Sequence, residues 1–196
     1  TARCLSTTQY IYARLCGKTM SKHAFAFFGT PYVARDTLAF LVEHGYVPSV
    51  VITSPDAPRG RGLTLTPCET KQWALEHNIP VLSPEKLDES AREKILSYRC
   101  EYALVVAYGK ILPRKMLDAF PKGALNVHYS LLPKYRGASP VEGALLNDEK
   151  VTGVTIQKMV FELDAGDVLA SREVPILPTD TTRELRPKLI AEGAEL

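Results

Sequence analysis

Long hydrophobic runs are missing from this chain. No stretch approaches the roughly 18 apolar residues of a membrane span, so no spanning segment is expected. Charge of one sign is also scarce: the net charge is +2 over 196 residues. That excludes bulk, charge-driven binding to nucleic acid, and any such binding has to use a local patch. Cysteines are few and scattered, at Cys4, Cys16, Cys68 and Cys100, with no CxxC pair. The spacing excludes a disulfide scaffold and a zinc site and fits free thiols in a reducing compartment. Phosphate-binding glycine motifs are missing as well. Gly60-Arg61-Gly62 runs into Leu63-Thr64-Leu65 without the third glycine of GxGxxG, and it follows the second strand rather than the first. There is no Walker loop, no internal repeat and no low-complexity tract.

What remains is ordinary for a soluble globular protein, with 45% hydrophobic and 23% charged residues. The length suits one sizeable domain and the start of another. The chain lacks an initiator Met at position 1, and Met20-Ser21-Lys22-His23 stands just before the first strand pattern. Thr1 to Thr19 carries Arg3, Arg14 and Lys18 and no acidic residue. Two readings are open for it: a mitochondrial transit peptide, or upstream or vector-derived sequence with Met20 as the true start. The expected location is cytoplasmic, or mitochondrial if the segment is a genuine transit peptide. Residues 20–196 are expected to form one catalytic domain that stops inside a helical pattern, Thr181 to Leu196, with more chain to follow.

Short apolar runs read as buried strands. They are Ala24–Phe28, Val47–Thr53, Pro80–Leu82, Tyr102–Ala107 and the stretch Gly123–His128. Helical spacing falls between them, over Val33–His44, after Pro67, over Pro84–Tyr98, Pro113–Phe120 and Val141–Leu146. Val151–Met159 and Val168–Ile176 alternate as late strands and suit an antiparallel addition. The alternation predicts an α/β, Rossmann-like fold with a mainly parallel twisted sheet and helices on both faces. Ser54 to Thr66 reads as a long loop. Such loops are often functional, and Arg59 and Arg61 among glycines can approach phosphates, although a solvated turn explains the composition equally well.

The candidate chemistry lies in Asn126-Val127-His128-Tyr129-Ser130-Leu131-Leu132-Pro133. Side chains alternate along a strand, so Asn126 and His128 face the same way near a strand's carboxyl end, where ligands bind in open α/β sheets. Downstream, Glu162-Leu163-Asp164-Ala165-Gly166-Asp167 can return a carboxylate to that spot. An amide, an imidazole and a carboxylate suit acyl transfer through a tetrahedral intermediate. Asn126 and His128 supply donors to the oxyanion, and Asp164 accepts the amine's proton directly or through water. Taken singly, His128 is as well explained as a strand-end histidine and Asp164 as a turn residue. A Ser-His-Asp hydrolase built on Ser130 or Ser139 is disfavoured, since neither serine sits in a GxSxG elbow.

The motifs together are more specific. Asn126-x-His128 with Ser130-Leu131-Leu132-Pro133, and Leu163-Asp164-x-Gly166-Asp167 downstream, closely resemble the signature of the folate-dependent formyltransferases. Gly29-Thr30-Pro31, Val105 to Pro113 and Thr152-Gly153-Val154-Thr155 add to the likeness, which covers about Phe25 to Leu189. The stretch Pro55 to Gly62 is similar to the branch that formylates initiator methionyl-tRNA. The resemblance implies a Rossmann-like catalytic domain followed by a barrel-like domain that helps grip tRNA, absent from this sequence. It implies Asn126, His128 and Asp164 as catalytic residues and Ser130, Leu131, Leu132 and Pro133 as contacts to tetrahydrofolate. It implies 10-formyltetrahydrofolate as co-substrate and Arg61, with Arg59 in support, as contacts to the tRNA acceptor end. No metal and no membrane are implied, and a monomer is expected. Relatives often continue the arginine loop with lysines, whereas Leu63, Thr64 and Leu65 stand here. Three alternatives stay open: formyl transfer to glycinamide ribonucleotide or an amino sugar, hydrolysis of the formyl donor, and a non-catalytic binding module.

Overall fold

The computed structural model describes residues 23–60 and 63–196. The amino-terminal segment 1–19, with its two readings, lies outside the described residues, as do Arg61 and Gly62.

The sheet is built from runs that are apolar on both faces. Strand β1 (Phe25–Gly29) is buried along its whole length. It pairs in parallel with β2 (Val50–Ile52) on one side and β6 (Tyr102–Val106) on the other. Beyond β2 lies β5 (Val81–Leu82), and beyond β6 lies β7 (Ala124–His128), both parallel. Two antiparallel strands, β8 (Val151–Lys158) and β9 (Val168–Pro175), complete the far edge. The order is β5-β2-β1-β6-β7-β8-β9. The chain therefore reverses direction across the sheet between β1 and β6, the kind of switch point that opens a crevice at strand carboxyl ends. Thr30, just past β1, ties this crevice together by donating to the Tyr108 carbonyl at 2.9 Å.

Alternation along β1 divides the interior into two cores. Phe25 and Phe27 pack on one face, against α1 (Tyr32–Glu43), α2 (Glu69–Glu76), α5 (Pro140–Leu146) and α6 (Thr182–Glu195) through Leu38, Ala74, Val141, Leu185 and Leu189. Ala26 and Phe28 pack on the other, against α3 (Glu89–Leu96) and α4 (Arg114–Leu117) through Ile95, Met116 and Leu117. Helices thus cover both faces, as the apolar runs predict. Helix α6 opens on a capping box, in which Thr181 and Glu184 satisfy each other's backbone donors.

Three boundaries differ from the sequence expectation. The second strand is only Val50–Ile52, because Val47 and Pro48 precede the point where pairing with β1 begins. The helix expected from Pro84 starts at Glu89, where the Asp88 carboxylate accepts from Ala91 N–H at 3.0 Å and fixes the first turn. The long loop from Ser54 to Thr66 is in part a hairpin. Strand β3 (Ala57–Arg59) pairs with β4 (Thr64–Thr66) outside the main sheet. Gly60 sits at φ +72°, and its carbonyl accepts from Leu63 N–H. The hairpin carries Leu63 and Leu65 far out in solvent, so no hydrophobic alternation announces it.

Candidate active site

Strand β7 sets the site. Ala124 packs into the core beneath α3 and α4, while Val127 and Tyr129 pack into the opposite core. By alternation Asn126 and His128 share the α3/α4 side of the sheet. Their neighbour across the antiparallel pair is β8, where Gln157 stands opposite Asn126 and Thr155 opposite His128.

Asp164 comes to this spot from the turn between β8 and β9. Its carboxylate is nearly buried, with 8% of the side chain exposed. Oδ1 accepts from Gln157 Nε2 at 2.9 Å and from Asn126 Nδ2 at 3.4 Å. Oδ2 accepts from the Gly137 backbone N–H at 2.8 Å and lies 3.7 Å from His128 Nδ1. An ionised carboxylate offers about four acceptor positions, and donors from three parts of the chain converge on this one. Of the expected site residues, Asn126 and His128 are therefore both brought to the Asp164 carboxylate.

His128 is itself buried, and its Nε2 lies 2.9 Å from the Tyr135 carbonyl oxygen. A carbonyl only accepts, so Nε2 carries a hydrogen and Nδ1 is the nitrogen left toward Asp164. The backbone around these contacts is held in sparsely populated conformations. Asp164 sits at φ +46° and Tyr135 at φ +56°, and Ala107 at the end of β6 sits at φ +46°. Left-handed backbone at non-glycine residues is uncommon and tends to gather at functional sites. Two glycines make the geometry possible. Gly137 takes φ +103°, a conformation that aims its N–H at Asp164. Gly166 lies so close to Lys158 that a Cβ there would stand 1.7 Å from the Lys158 carbonyl oxygen. The turn carrying Asp164 closes onto β8 only because residue 166 has no side chain.

The segment after β7 is cinched to β8. Ser130 is fully buried, and its hydroxyl donates to the Lys134 carbonyl at 2.6 Å. Thr155 Oγ1 donates to Ser130 O at 2.7 Å and accepts from Leu132 N–H at 3.2 Å. The Ser130 hydroxyl is thus engaged inside the protein. Leu131 lies over Gly153, and Pro133 is exposed, joined to Leu132 by a cis peptide bond. Near the Asp164 turn, Val160, Phe161 and Leu163 are exposed, and so is Ile111 in the segment that follows β6. The Arg114 guanidinium lies 5.5 Å from the Phe161 ring centre, so these two segments approach each other. Burial pushes the Tyr108 phenol up to about 12. Arg59 closes β3, far along the chain from Asp164, and Arg61 lies outside the described residues.

Sequence reasoning missed Gln157 and the backbone groups of Tyr135 and Gly137. Gln157 left a faint signal, an amide on the buried side of an alternating strand. The backbone groups left none. Among the described residues no cluster of three or more His, Cys, Asp or Glu side chains could hold a metal ion. No helix among them is long and apolar enough to cross a membrane.

The architecture is one already seen in solved formyltransferases. A phosphoribosylglycinamide formyltransferase from Bacillus halodurans superposes with a TM-score of 0.72 at 22% identity, covering 88% of this chain and 90% of that one. That likeness is one of fold alone. Residues 21–196 match the formyl transferase family, and the chain belongs to it. The chain is 45% identical over 171 residues to the methionyl-tRNA formyltransferase of Thermodesulfovibrio yellowstonii, covering 87% of this chain and 56% of that protein. It is 46% identical over 171 residues to the methionyl-tRNA formyltransferase of Geobacillus sp. strain WCH70, covering 87% and 54%. The chain thus spans about half the length of the curated relatives it matches.

Proposed function

We propose that this protein is a methionyl-tRNA formyltransferase, moving the formyl group of 10-formyltetrahydrofolate to the amino group of initiator methionyl-tRNA. The convergence of Asn126 and His128 on the buried Asp164 carboxylate carries the reading. The acceptor is chosen by likeness to relatives that bear that name.

The amine nitrogen attacks the formyl carbon, a C–N bond forms, and the carbonyl electron pair moves onto oxygen. Donors already in place meet that negative oxygen. Asn126 has two amide hydrogens, and its contact with Asp164 uses one of them. His128 holds its Nε2 hydrogen against Tyr135, so Nδ1 is the nitrogen left to face the oxygen, and it donates when it carries a hydrogen. The attacking nitrogen gives up a proton to Asp164, directly or through a water. The bond from carbon to the folate nitrogen then breaks, that nitrogen takes the electron pair and the proton that Asp164 had accepted, and the carbonyl re-forms. No enzyme-bound acyl group is needed.

The folate is expected against the segment Ser130 to Pro133 and the turn Val106 to Gly109. Apolar side chains at Ile111, Val160, Phe161 and Leu163 offer flat, solvent-facing contacts beside the Asp164 turn. Arg59 and Arg61 are proposed for the tRNA acceptor end, as phosphate contacts in a chain that is otherwise almost neutral.

One assay tests the whole reading in the full-length protein: formyl transfer from 10-formyltetrahydrofolate to charged initiator tRNA, beside glycinamide ribonucleotide, amino sugars and water. Formylation of tRNA alone is the expected result. Formylation of a small amine, or release of free formate without tRNA dependence, would move the assignment to that acceptor. Arg61→Ala is expected to weaken use of the tRNA with folate affinity unchanged. The weakening should shrink at high salt, since phosphate contacts fade as counterions return.

A further inference from the structure

We infer that Gln157 is a positioning residue for Asp164, aligning the carboxylate that takes the amine's proton in the proposed reaction. Gln157 lies in β8 directly opposite Asn126 and is only 2% exposed. Its Nε2 makes the shortest side-chain contact to Asp164, 2.9 Å to Oδ1, against 3.4 Å for Asn126. The carboxylate itself fixes which end of the amide faces it. Turned around, Gln157 would set its oxygen against an anionic oxygen.

The other end of the same amide is informative. Gln157 Oε1 is buried and has no hydrogen-bond partner among the described residues. A glutamine kept in an interior for structural reasons normally has both ends satisfied. Among the described residues the side chain's one hydrogen bond is to Asp164. Strand pairing, not a loop, sets where the donor stands, because Asn126↔Gln157 is a ladder pair in the antiparallel β7–β8 ladder.

Asp164 needs such a guide. It sits on a turn, at φ +46°, and reaches the site from outside the sheet. Its Oδ2 is held by Gly137 N–H, which belongs to another loop. Oδ1 is held to the sheet by Gln157 and, more weakly, by Asn126. Removing the Gln157 donor leaves Oδ1 with only the long Asn126 contact, so the plane of the carboxylate is firmly fixed at Oδ2 alone and turns more freely about it. Proton acceptance depends on the lone-pair direction of the carboxylate, so misalignment slows the transfer step while leaving substrate binding untouched.

The inference rests on the proposed role of Asp164, and the test separates the two. Gln157→Met keeps the length and buried volume of the side chain and removes the donor. Gln157→Glu keeps its shape and sets a second carboxylate against Asp164. Both are made in the full-length protein, alone and combined with Asp164→Asn. Either variant that melts as the parent does should lose about tenfold in kcat, the scale of a catalytic group left loosely placed. KM for the folate and for the charged tRNA should stay within about twofold. In the Asp164→Asn background the same substitution should cost nothing further, since a residue acting through Asp164 has nothing left to align. A folded Gln157 variant with parental kcat overturns the inference while leaving Asp164 in its role. So does a loss that repeats in full in the Asp164→Asn background, which would mark a general effect on the fold. Parental activity in Asp164→Asn itself would remove both readings together.

Discussion

Replacing Asp164 by Asn removes one charge and leaves the side chain's size unchanged, so its outcome can be worked from the contacts. The carboxylate now takes donors at both oxygens: Gln157 and Asn126 at Oδ1, Gly137 N–H at Oδ2. An amide has only one oxygen. If that oxygen stays toward Gly137, the new NH2 group faces Gln157. Gln157 can turn its own amide and accept through Oε1, which has no partner among the described residues. Two donors are then left without an acceptor: Asn126 at 3.4 Å, and the Gln157 Nε2 turned into the place that Oε1 held. Hydrogen bonds to charged groups contribute about 1.5–3 kcal/mol each, but the long Asn126 contact stands at the low end, and a buried charge no longer needs compensation. The variant should fold, with a melting temperature within a few degrees of the parent.

Turnover is another matter, because an amide cannot take up a proton at neutral pH. General-base removal costs at least about a hundredfold, which is about 2.7 kcal/mol in the barrier. The loss should fall on kcat, with folate affinity by calorimetry unchanged. Single-turnover formylation of charged tRNA reads the step directly. A folded Asp164→Asn protein that formylates at the parental rate would refute the chemistry proposed for this site.

Three further outcomes follow from particular contacts. His128→Ala removes both the oxyanion donor and the partner of the Tyr135 carbonyl, and should lower kcat by about a hundredfold. Steady-state rates beside a folate-binding titration check it. Gly166→Ala brings a Cβ to 1.7 Å from the Lys158 carbonyl, so the turn must shift. Overpacking of this kind costs about 1–3 kcal/mol, and Asp164 moves with the turn, so both the urea midpoint and kcat should fall. Burial pushes the Cys100 thiol up to about 11, whereas in the unfolded chain a cysteine titrates near about 8.5. Between those values the unfolded chain has lost a proton that the folded one keeps, so stability is unaffected below the window and declines as pH rises through it. Urea midpoints compared at increasing pH should therefore fall more steeply in the parent than in Cys100→Ala. Equal slopes would show that the thiol contributes nothing to that decline.

The fold was legible where burial was two-sided. β1 and β6 are apolar on both faces, and runs such as Phe25 to Phe28 have no other home than a covered sheet. The antiparallel pair was legible for the opposite reason, since β9 alternates and exposes one face. The hairpin β3–β4 escaped because none of its described side chains is buried deeply. Pro58 argues against a strand in any interior position, and here it lies on a two-stranded ribbon where a missing N–H is harmless. The start of α3 was set too early because Pro84 is a familiar opening residue. The deciding signal was the Asp88 cap four residues on.

The site divides in the same way, by whether identity or placement carries the information. Asn126, His128 and Asp164 carry chemistry in their side chains, and strand alternation suffices to bring the first two together. Asp164 could be joined to them only through resemblance, since no periodicity says where a turn will land. Gln157 required one fact more, the register of β8 on β7. Shifted by one residue, Ile156 or Lys158 would face Asn126, and the amide would point into the opposite core. Tyr135 and Gly137 act through backbone atoms, so any residue type able to hold the conformation would serve. For Gly137 that means φ +103°, where a side chain is strained. Tyr135 holds φ +56° without being glycine, and it is fixed instead by its own contacts. Its hydroxyl donates to Glu149 at 2.9 Å, and its ring lies close over Gly143, where a Cβ would come within 2.7 Å of it. A tyrosine more than a turn of chain away from His128 thus orients the imidazole through a carbonyl, and its ring is clamped by helix α5. The chemistry was readable from the side chains that perform it, while the alignment belongs to backbone groups whose positions are decided by packing elsewhere.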